Sequence, residues 1–247
     1  MPRSDLSVVP LTDSAADDLL LEAFGREPVL VQLPTVFAIF APATVAGARS
    51  LDRCKQRLPG KYYGVIVGDG RTFFELAPDE PLSRHLLEPS DESRIDAVRR
   101  DLHGSFLRIR IADDDVHTPV ICAGQLQGLL LSGPLAETMR LMERLTEPMP
   151  DKLFGPAHRN YHAPIGSSCN MSGDPAGSIS DLDRAVAFAR DRGVRLCLTH
   201  PGTSGEGSQP IFGLSGTHID THRDGPGADH LRAVLNRWVS QAHRPSV

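Results

Sequence analysis

A run of small and polar residues in the second half of the chain places the strongest constraint on its fold. Residues 163–173 read Ala-Pro-Ile-Gly-Ser-Ser-Cys-Asn-Met-Ser-Gly, and Asp-Pro-Ala-Gly follows directly. This run cannot pack as an ordinary core element because it has almost no large apolar side chains. Its hydroxyls, its amide and its glycine-flanked backbone can instead bind a phosphate, a carboxylate or a carbonyl group. The sequence therefore predicts a binding segment for a polar group here.

Length and charge limit the function classes. The chain has 247 residues, of which 40% are hydrophobic, enough for one large domain, or one domain with insertions, around a sizeable core. The formal net charge of −5 argues against a surface built to bind nucleic acid strongly, although a local basic cleft is compatible with it. Only three of the 26 basic residues are lysines, at positions 55, 61 and 152, so each lysine is a candidate for a specific role.

Cysteine spacing and hydropathy indicate a reducing compartment. The cysteines at 54, 122, 169 and 197 form no Cys-x-x-Cys pair and are expected to be free thiols. The first 18 residues are acidic and polar, without the basic and apolar regions of a signal peptide. The longest apolar runs, such as 36–41, are far too short to span a bilayer. We therefore expect a soluble, cytoplasmic protein that does not enter a membrane.

Periodicity and turn residues predict a mixture of strands and helices. A segment over 75–93, rich in Pro, Asp, Glu and Ser, is expected to lie on the surface, and Ser180 is the predicted cap of one helix. The predicted helices are 13–24, 44–58, 134–145, 180–193 and 228–242, and the predicted strands are 28–33, 36–41, 62–68, 105–112, 118–123, 194–199, 211–214 and 217–221. These elements favour an α/β or α+β domain.

Four polar residues in two short motifs have the chemistry of phosphate binding. Lys55 and Arg57 are placed in the last turn of the predicted helix 44–58. Lysine provides a point charge and arginine can donate to two oxygens at once, while Ser168 and Asn170 add neutral donors of short reach. On their own, a lysine and an arginine at a helix end can also simply complement the helix dipole.

The two motifs together resemble those of a known family. Lys55-Gln56-Arg57 is similar to the Lys-x-Arg motif, and Ser168-Cys169-Asn170 with Ser172-Gly173 is similar to the Ser-Ala-Asn-x-Ser-Gly segment, of the YrdC-like threonylcarbamoyl-adenylate synthases. Weaker similarities extend the resemblance over roughly 24–235. Pro34-Thr35, followed by an apolar run, is similar to the family's Pro-Thr-Asp-Thr-Val-Tyr-Gly-Leu. The segment from Ser215 to Asp220 is similar to Glu-Ser-Thr-Val-Val-Asp, and Arg223-Asp224-Gly225 is similar to the Arg-x-Gly that follows it. Arg110 is similar to a family arginine on a strand.

The resemblance implies a fold and an activity. The fold would be an α/β YrdC-like twisted mixed sheet with helices and a concave basic cleft. A single domain would span 1–247, with an insertion around 113–162. The activity would be that of a nucleotidyltransferase, which forms a carbamoyl-adenylate mixed anhydride from ATP, bicarbonate and an amino acid with Mg²⁺. Such chemistry implies tRNA modification and a downstream carbamoyl-transfer partner protein, without a protein-bound metal site.

The resemblance also assigns roles to residues. Lys55 and Arg57 would bind the triphosphate, and Ser168 and Asn170 would orient the carbamate or the phosphate. Thr35 would line the amino-acid side of the cleft. Thr217 and Arg223 would act on the nucleotide side, and Arg110 and Ser172 would complete the substrate-binding set. Cys169 is expected to be a small buried residue, because the sequence places no histidine to activate it as a nucleophile.

Departures from the family pattern leave other functions open. The Pro34-Thr35 turn lacks the family's Asp-Thr, and Gly216 replaces a serine, so a different amine or carbamoyl donor is one alternative. A non-catalytic nucleotide- or RNA-binding module is a second, and it would require binding with a steep salt dependence. A metal hydrolase is a third, because His218, Asp220 and His222 lie two apart on a predicted strand and could converge on one ion.

Overall fold

The computed structural model describes residues 6–88, 93–111, 119–155, 158, 161–200 and 207–243. Within them the chain forms eleven strands and eight helices. The strands are β1 Ser7–Pro10, β2 Val29–Gln32, β3 Phe37–Ala41, β4 Gly64–Val67, β5 Ser105–Arg110, β6 Ile121–Cys122, β7 Gln125–Leu130, β8 Ile165–Ser168, β9 Leu196–Thr199, β10 Ile211–Ser215 and β11 His218–Arg223. The helices are α1 Ala16–Ala23, α2 Val45–Lys55, α3 Gly70–Glu75, α4 Pro81–Leu86, α5 Ser93–Asp101, α6 Gly133–Thr146, α7 Leu182–Arg190 and α8 Ala228–Ala242.

All described strands belong to one mixed sheet. Its order is β1-β9-β2-β3-β8-β4-β7-β5-β10-β11, and β6 pairs with β7 outside this path. β8 lies near the centre, antiparallel to β3 and to β4, with Ser168 opposite Ala38 and Gly166 opposite Gly64. β4 and β7 are parallel, as are β5 and β10. The predicted α/β class with a mixed sheet is confirmed, and the small polar run begins in a central strand.

The two faces of the sheet are covered unequally. In β3, Phe37 and Ile39 belong to one buried cluster, whereas Ala38 and Phe40 belong to another, as alternation along a strand requires. The first cluster includes side chains from six helices, namely α2, α3, α4, α5, α7 and α8. The second cluster has helical side chains from α1 and α6 only. Part of this second face is therefore open to a ligand.

Three helix boundaries differ from the prediction. α1 begins at Ala16 and not at residue 13. α2 is capped by Thr44, whose side chain accepts a hydrogen bond from the Gly47 nitrogen, and it ends at Lys55 because Gln56 has a left-handed φ of 45°. Arg57 therefore lies beyond the helix and not in its last turn. The cap of α7 is Asp181, which accepts from the Arg184 nitrogen at 2.9 Å, so the prediction of Ser180 is wrong by one residue.

The segment 75–93 differs more strongly from the expected surface segment. It contains α4, which begins with Pro81 in its first turn, a position where proline's missing N–H costs nothing. Leu82 and Leu86, four residues apart, lie on one side of this helix and are buried. The acidic and proline-rich composition predicted an exposed segment, although Leu82 and Leu86 form a short amphipathic pattern within it. Residues 89–92 lie outside the described part of the chain.

The expected insertion around 113–162 falls partly outside the description, since 112–118, 156–157 and 159–160 are not described. The rest of it contains β6, β7 and α6, with β7 inserted between β4 and β5. In the described part of the chain, no helix has both the length and the apolar character needed to cross a membrane.

Candidate functional site

A cleft of ≈ 130 Å³ lies on the sparsely covered face of the sheet. Residues of β3 and of β11 both line it, although five strands separate them in the sheet, so this face is concave. The polar lining residues are Tyr62, Gln127, Ser167, Ser168, Ser178, Ser208, Gln209 and Arg223, and the apolar ones are Leu33, Val36, Ala38, Phe40, Ile66 and Phe106. A concave site with a few convergent polar groups over an apolar base is the usual form of a small-molecule site.

Two glycines make room for the base of the cleft. A Cβ on Gly166 would lie 2.4 Å from the Cδ1 atom of Phe40, and a Cβ on Gly64 would lie 2.7 Å from the Cε1 atom of Phe106. Both distances are well inside van der Waals contact. The two phenylalanine rings can therefore lie against the strands only because these positions lack side chains.

Lys55 lies under the small polar run and not on the open surface. Only 3% of the residue is exposed. Its Nζ donates to the main-chain oxygens of Ser168 and Asn170, the latter at 2.6 Å, and to the Asn170 side-chain oxygen at 3.2 Å. Burial, and then repulsion from Arg57, lower the pKa of Lys55 to about 8. Because an ammonium group has three N–H donors, these three acceptors saturate it.

Further hydrogen bonds tie the run to the end of α2. Ser168 Oγ donates to the Asn170 side-chain oxygen at 2.7 Å. The Ser172 nitrogen donates to the Lys55 main-chain oxygen at 3.1 Å, and Ser172 Oγ accepts from the Leu58 nitrogen at 3.2 Å. Lys55, Ser168, Asn170 and Ser172 therefore form one connected network, of which Ser168 reaches the cleft lining.

Arg57 lies beside that network and contacts the cleft-lining residues Ser167 and Tyr62. Its Nη1 is 3.4 Å from Ser167 Oγ, and its Nη2 donates to the main-chain oxygen of Tyr62. The guanidinium carbon lies 3.8 Å from the centroid of the Tyr63 ring. Tyr63 in turn donates its hydroxyl to Asp52 in α2. Its Nε also donates to the main-chain oxygen of Lys61 at 3.4 Å, so a stacked ring and two backbone acceptors hold the guanidinium, and the second N–H of each terminal nitrogen can serve a ligand.

Arg223 contributes a second guanidinium from the far end of the sheet. Its Nε and Nη2 donate to the main-chain oxygen of Gln209 at 2.9 and 2.7 Å. Burial lowers the pKa of Arg223, with Arg108 adding to the effect. Among the described residues that line the cleft there is no Asp or Glu. The fixed charges at this cleft are therefore positive, which suits an anionic ligand.

Three other residues of the predicted site lie elsewhere. Arg110, the last residue of β5, lines a separate pocket together with Glu80 and Gly216. Thr217 is exposed in the turn between β10 and β11, where Gly216 has a φ of 59°. Thr35 lies between the lining residues Leu33 and Val36; it is 9% exposed, and its hydroxyl has no hydrogen-bond partner among the described residues.

Sequence reasoning missed several lining residues. Ser208 and Gln209, just before β10, reach the cleft, whereas Thr217 does not. Ser178 and Ser208 are 2.9 Å apart through their hydroxyls, although they are 30 positions apart in the chain. Phe106 and Gln127 come from β5 and β7. In the sequence, only the polar pair Ser208-Gln209 directly before Pro210 and the predicted strand 211–214 indicates that these residues could line a site.

The two reactive alternatives receive no support from the geometry. Cys169 is fully buried, and burial raises the pKa of its thiol to about 12, far from the reactive thiolate form. On β11, His218 Nε2 pairs with Asp220 at 3.0 Å, but the His222 ring lies over Gly213 of β10. Over the described residues, no group of three His, Cys, Asp or Glu side chains could hold a metal ion.

Comparison with known proteins shows the fold. No protein-family model matches the sequence, and no curated protein does. Pyrococcal (P. abyssi) Sua5 complexed with L-threonine matches at a TM-score of 0.55 with 12% identity, covering 88% of this chain and 57% of that one. E. coli YciO matches at 0.57 with 9% identity, covering 92% and 97%. Full-length HypF in its phosphate- and nucleotide-bound form matches at 0.54 with 15% identity, covering 84% and 28%.

The chain therefore has the YrdC-like fold that the sequence motifs led us to expect. It spans 60% and 57% of the lengths of two P. abyssi Sua5 structures. At these identities the likeness concerns the arrangement of the chain alone.

Proposed function

We propose that the protein forms a carbamoyl-adenylate mixed anhydride from ATP, bicarbonate and an amine. The observation that carries the proposal is one concave cleft lined by Arg223 and by Ser167 and Ser168 of the central strand, with Arg57 bonded to Ser167 from beside it. Phosphoryl and nucleotidyl transfer depend mainly on positioning and on neutralising charge, and this arrangement supplies both.

The fold supports the same conclusion. Among structures with this fold, Sua5 is seen complexed with L-threonine, and HypF is seen with phosphate and nucleotide. An amino acid and a nucleotide are two of the substrates that the proposed reaction needs. The resemblance in the Lys-x-Arg and Ser-x-Asn motifs supports the same proposal at the level of individual residues.

The reaction proceeds in two steps. In the first, the amine nitrogen attacks bicarbonate, a carbon–nitrogen bond forms and water leaves, which gives a carbamate. In the second, a carbamate oxygen attacks the α-phosphorus of ATP, the bond from that phosphorus to the bridging oxygen breaks, and pyrophosphate leaves with the electron pair. Arg57 and Arg223 would neutralise the charge that builds up on the phosphate oxygens. The Ser167 hydroxyl, which accepts from Arg57, would donate to the carbamate or to the phosphate, whereas the Ser168 hydroxyl donates to Asn170 and would orient the substrate through that network.

The other residues of the network would act by positioning. Since the ammonium of Lys55 is saturated by Ser168 and Asn170, we assign it the task of holding the small polar run in place. Asn170 and Ser172 would share this task. The triphosphate would then be bound by Arg57 in place of the Lys55–Arg57 pair. Thr35 would support the amine side of the cleft from behind Leu33 and Val36, whereas the positions of Arg110 and Thr217 do not suit a direct role.

Mg²⁺ would arrive with the nucleotide. Protein-bound Mg²⁺ usually has one or two carboxylate ligands besides phosphate oxygens and water. The described lining residues offer hydroxyl and amide oxygens but no carboxylate, so they do not fit a resident Mg²⁺ site. The mixed anhydride would next be passed to an acceptor, for which a carbamoyl-transfer partner in tRNA modification is our proposal.

Pyrophosphate release from ATP and bicarbonate, across a panel of amino acids and amines, tests the proposal. Release should require one class of amine and should fall at least about 100-fold in Arg57→Gln and Arg223→Gln. Arg184→Gln is the matched control, because Arg184 is an exposed arginine on α7. ATP binding without release from any amine would favour a binding module over an enzyme. Full activity in both cleft variants would refute the proposed site.

A further inference from the structure

Gln127 of β7 lines the cleft, and the reaction proposed above gives it no task. It lies directly opposite Arg108 in the antiparallel pairing of β7 with β5. Arg108 Nε donates to the Gln127 side-chain oxygen at 3.0 Å. Because a guanidinium can only donate, this bond fixes which end of the amide faces Arg108. The amide nitrogen of Gln127 is therefore the end that is left to face a ligand.

This amide nitrogen lies close to the floor of the cleft. A Cβ added at Gly64, one of the two glycines at the base, would lie 3.5 Å from it. No described residue accepts a hydrogen bond from the nitrogen, and the half-buried side chain does not seal it from solvent. Since an amide nitrogen carries two N–H donors, the cleft holds donors that a ligand oxygen can use.

The charges around Gln127 favour an anionic oxygen as its partner. Arg108 forms no ion pair with a described carboxylate. Arg108 also lies near Arg223, because burial and then repulsion from Arg108 lower the pKa of Arg223. No described lining residue of the cleft carries a carboxylate. An amide donor beside two guanidinium groups attracts a negatively charged oxygen and does not suit an ammonium group.

We infer that Gln127 is a substrate-binding residue in the reaction proposed above, and that its amide donates to an anionic phosphate or carboxylate oxygen at the floor of the cleft. Arg108, which does not line the cleft, is the positioning residue that holds the amide in this orientation. The two residues lie on neighbouring strands of one sheet, so the donor is placed rigidly. Neither residue belongs to the motifs that resemble the YrdC-like family.

Titration calorimetry with ATP, and separately with the panel of amino acids, tests this contact without turnover. Gln127→Met retains the length of the side chain and removes both donors. The affinity for one of the two kinds of ligand should fall at least about ten-fold, as expected for one lost hydrogen bond to a charged group. Gln127→Glu, which replaces the donors by a carboxylate, should weaken binding further. The ligand that responds identifies whether the oxygen belongs to the nucleotide or to the amino acid.

Gln125→Glu is the matched control. Gln125 is two residues from Gln127 on the same strand, lies opposite Arg110 and is not a lining residue of the cleft. The variant makes the same change of charge, and it should alter the affinity by less than about three-fold because salt screens a charge at that distance. If Gln127→Met does not fold, the comparison of Gln127→Glu with Gln125→Glu carries the test.

A double-mutant cycle separates positioning by Arg108 from a direct effect of its charge. Arg108→Met should weaken binding of the same ligand in the wild-type background and should add little to Gln127→Met, because Arg108 acts through the amide. Additive losses overturn the positioning role.

The remaining outcomes decide between the contact and the reaction. Binding that depends on Gln127, without pyrophosphate release from any amine, supports the contact and refutes the reaction. Pyrophosphate release together with unchanged affinities in Gln127→Met overturns the inference and leaves the reaction standing. Equal losses in Gln127→Glu and Gln125→Glu, or a wild-type protein that binds neither kind of ligand, also overturn the inference.

Discussion

The ammonium nitrogen of Lys55 lies 2.6 Å from the main-chain oxygen of Asn170, although 115 positions separate the two residues in the chain. Through this contact, and through Ser168, the C-terminal end of α2 is fastened to the end of the central strand β8. The turn that follows β8 is too small and polar to be held by apolar packing. The hydrogen bonds of the buried Lys55 therefore hold this turn in place, as apolar packing holds an ordinary core segment.

Replacing Lys55 by Met should lower the free energy of unfolding by about 2–4 kcal/mol. Three oxygen acceptors would lose their donor inside the protein, and each unsatisfied buried group costs about 1–3 kcal/mol before relaxation and water entry. Urea unfolding followed by circular dichroism measures the change. Lys61→Met, at an exposed lysine, should leave stability nearly unchanged. Similar stabilities of the two variants would contradict the role assigned to Lys55.

The orientation of Arg57 should depend on the ring of Tyr63 more than on its hydroxyl. The ring stacks on the guanidinium at 3.8 Å, whereas the hydroxyl donates to Asp52. Tyr63→Phe retains the stacked ring and should alter kcat/KM for ATP by less than about three-fold, with a loss of about 1 kcal/mol in stability. Tyr63→Leu removes the ring and the cation–π attraction, worth about 0.5–2 kcal/mol, and should lower kcat/KM about three- to thirty-fold. If both variants lose activity equally, the hydroxyl link to Asp52 is what positions Arg57.

Glu143 should make the stability of the protein fall as the pH rises from about 4.5 to about 7. Burial raises the pKa of this α6 carboxyl to about 7 from a usual 4.5, while the Gly68 and Asp69 nitrogens, each 2.8 Å away, oppose the shift in part. A raised folded-state pKa means that the folded protein holds a proton that the unfolded chain releases. The stabilisation is then complete below pH 4.5 and is lost as the pH passes through 7.

Glu143→Gln removes this titration. The difference in unfolding free energy between wild type and this variant should change by at most about 3 kcal/mol over that pH interval, since one pKa unit corresponds to about 1.4 kcal/mol. Chemical unfolding at a series of pH values measures it. Glu75→Gln, at an exposed glutamate, should run parallel to wild type. A wild-type curve that also runs parallel to Glu143→Gln would show that the two backbone donors outweigh burial.

Local chemistry made part of this site predictable. The small polar run had to be a ligand-facing segment or a solvated loop, because it lacks core-forming side chains, and its strand does line the cleft. The proximity of Lys55 to Ser168 and Asn170 followed from the family resemblance. Its burial did not follow, since a lysine at a helix end can equally extend into water, and only the position of the β8 end against α2 decides between these arrangements.

The rest of the site depends on sheet order, which the sequence does not encode locally. Phe106, Gln127 and Gln209 come from three segments that become neighbours only because β7 lies between β4 and β5 and because β10 pairs with β5. The motif around Thr217 is degenerate, and this residue lies in the turn between β10 and β11, away from the cleft. The cleft is reached instead by Ser208 and Gln209, which come just before β10.

Cys169 should be dispensable for catalysis and slow to react, although it lies inside the polar run. Its side chain is fully buried, and burial raises the pKa of the thiol to about 12, so the reactive thiolate is scarce at neutral pH. Iodoacetamide should therefore modify Cys169 much more slowly in the native protein than in urea, as followed by mass spectrometry of the digested protein. Cys169→Ala should retain most of the pyrophosphate-release activity and lose about 1 kcal/mol of stability, through the small volume left empty beside Ala185. Rapid native labelling, or loss of turnover in a folded Cys169→Ala protein, would instead identify this thiol as part of the chemistry at the cleft.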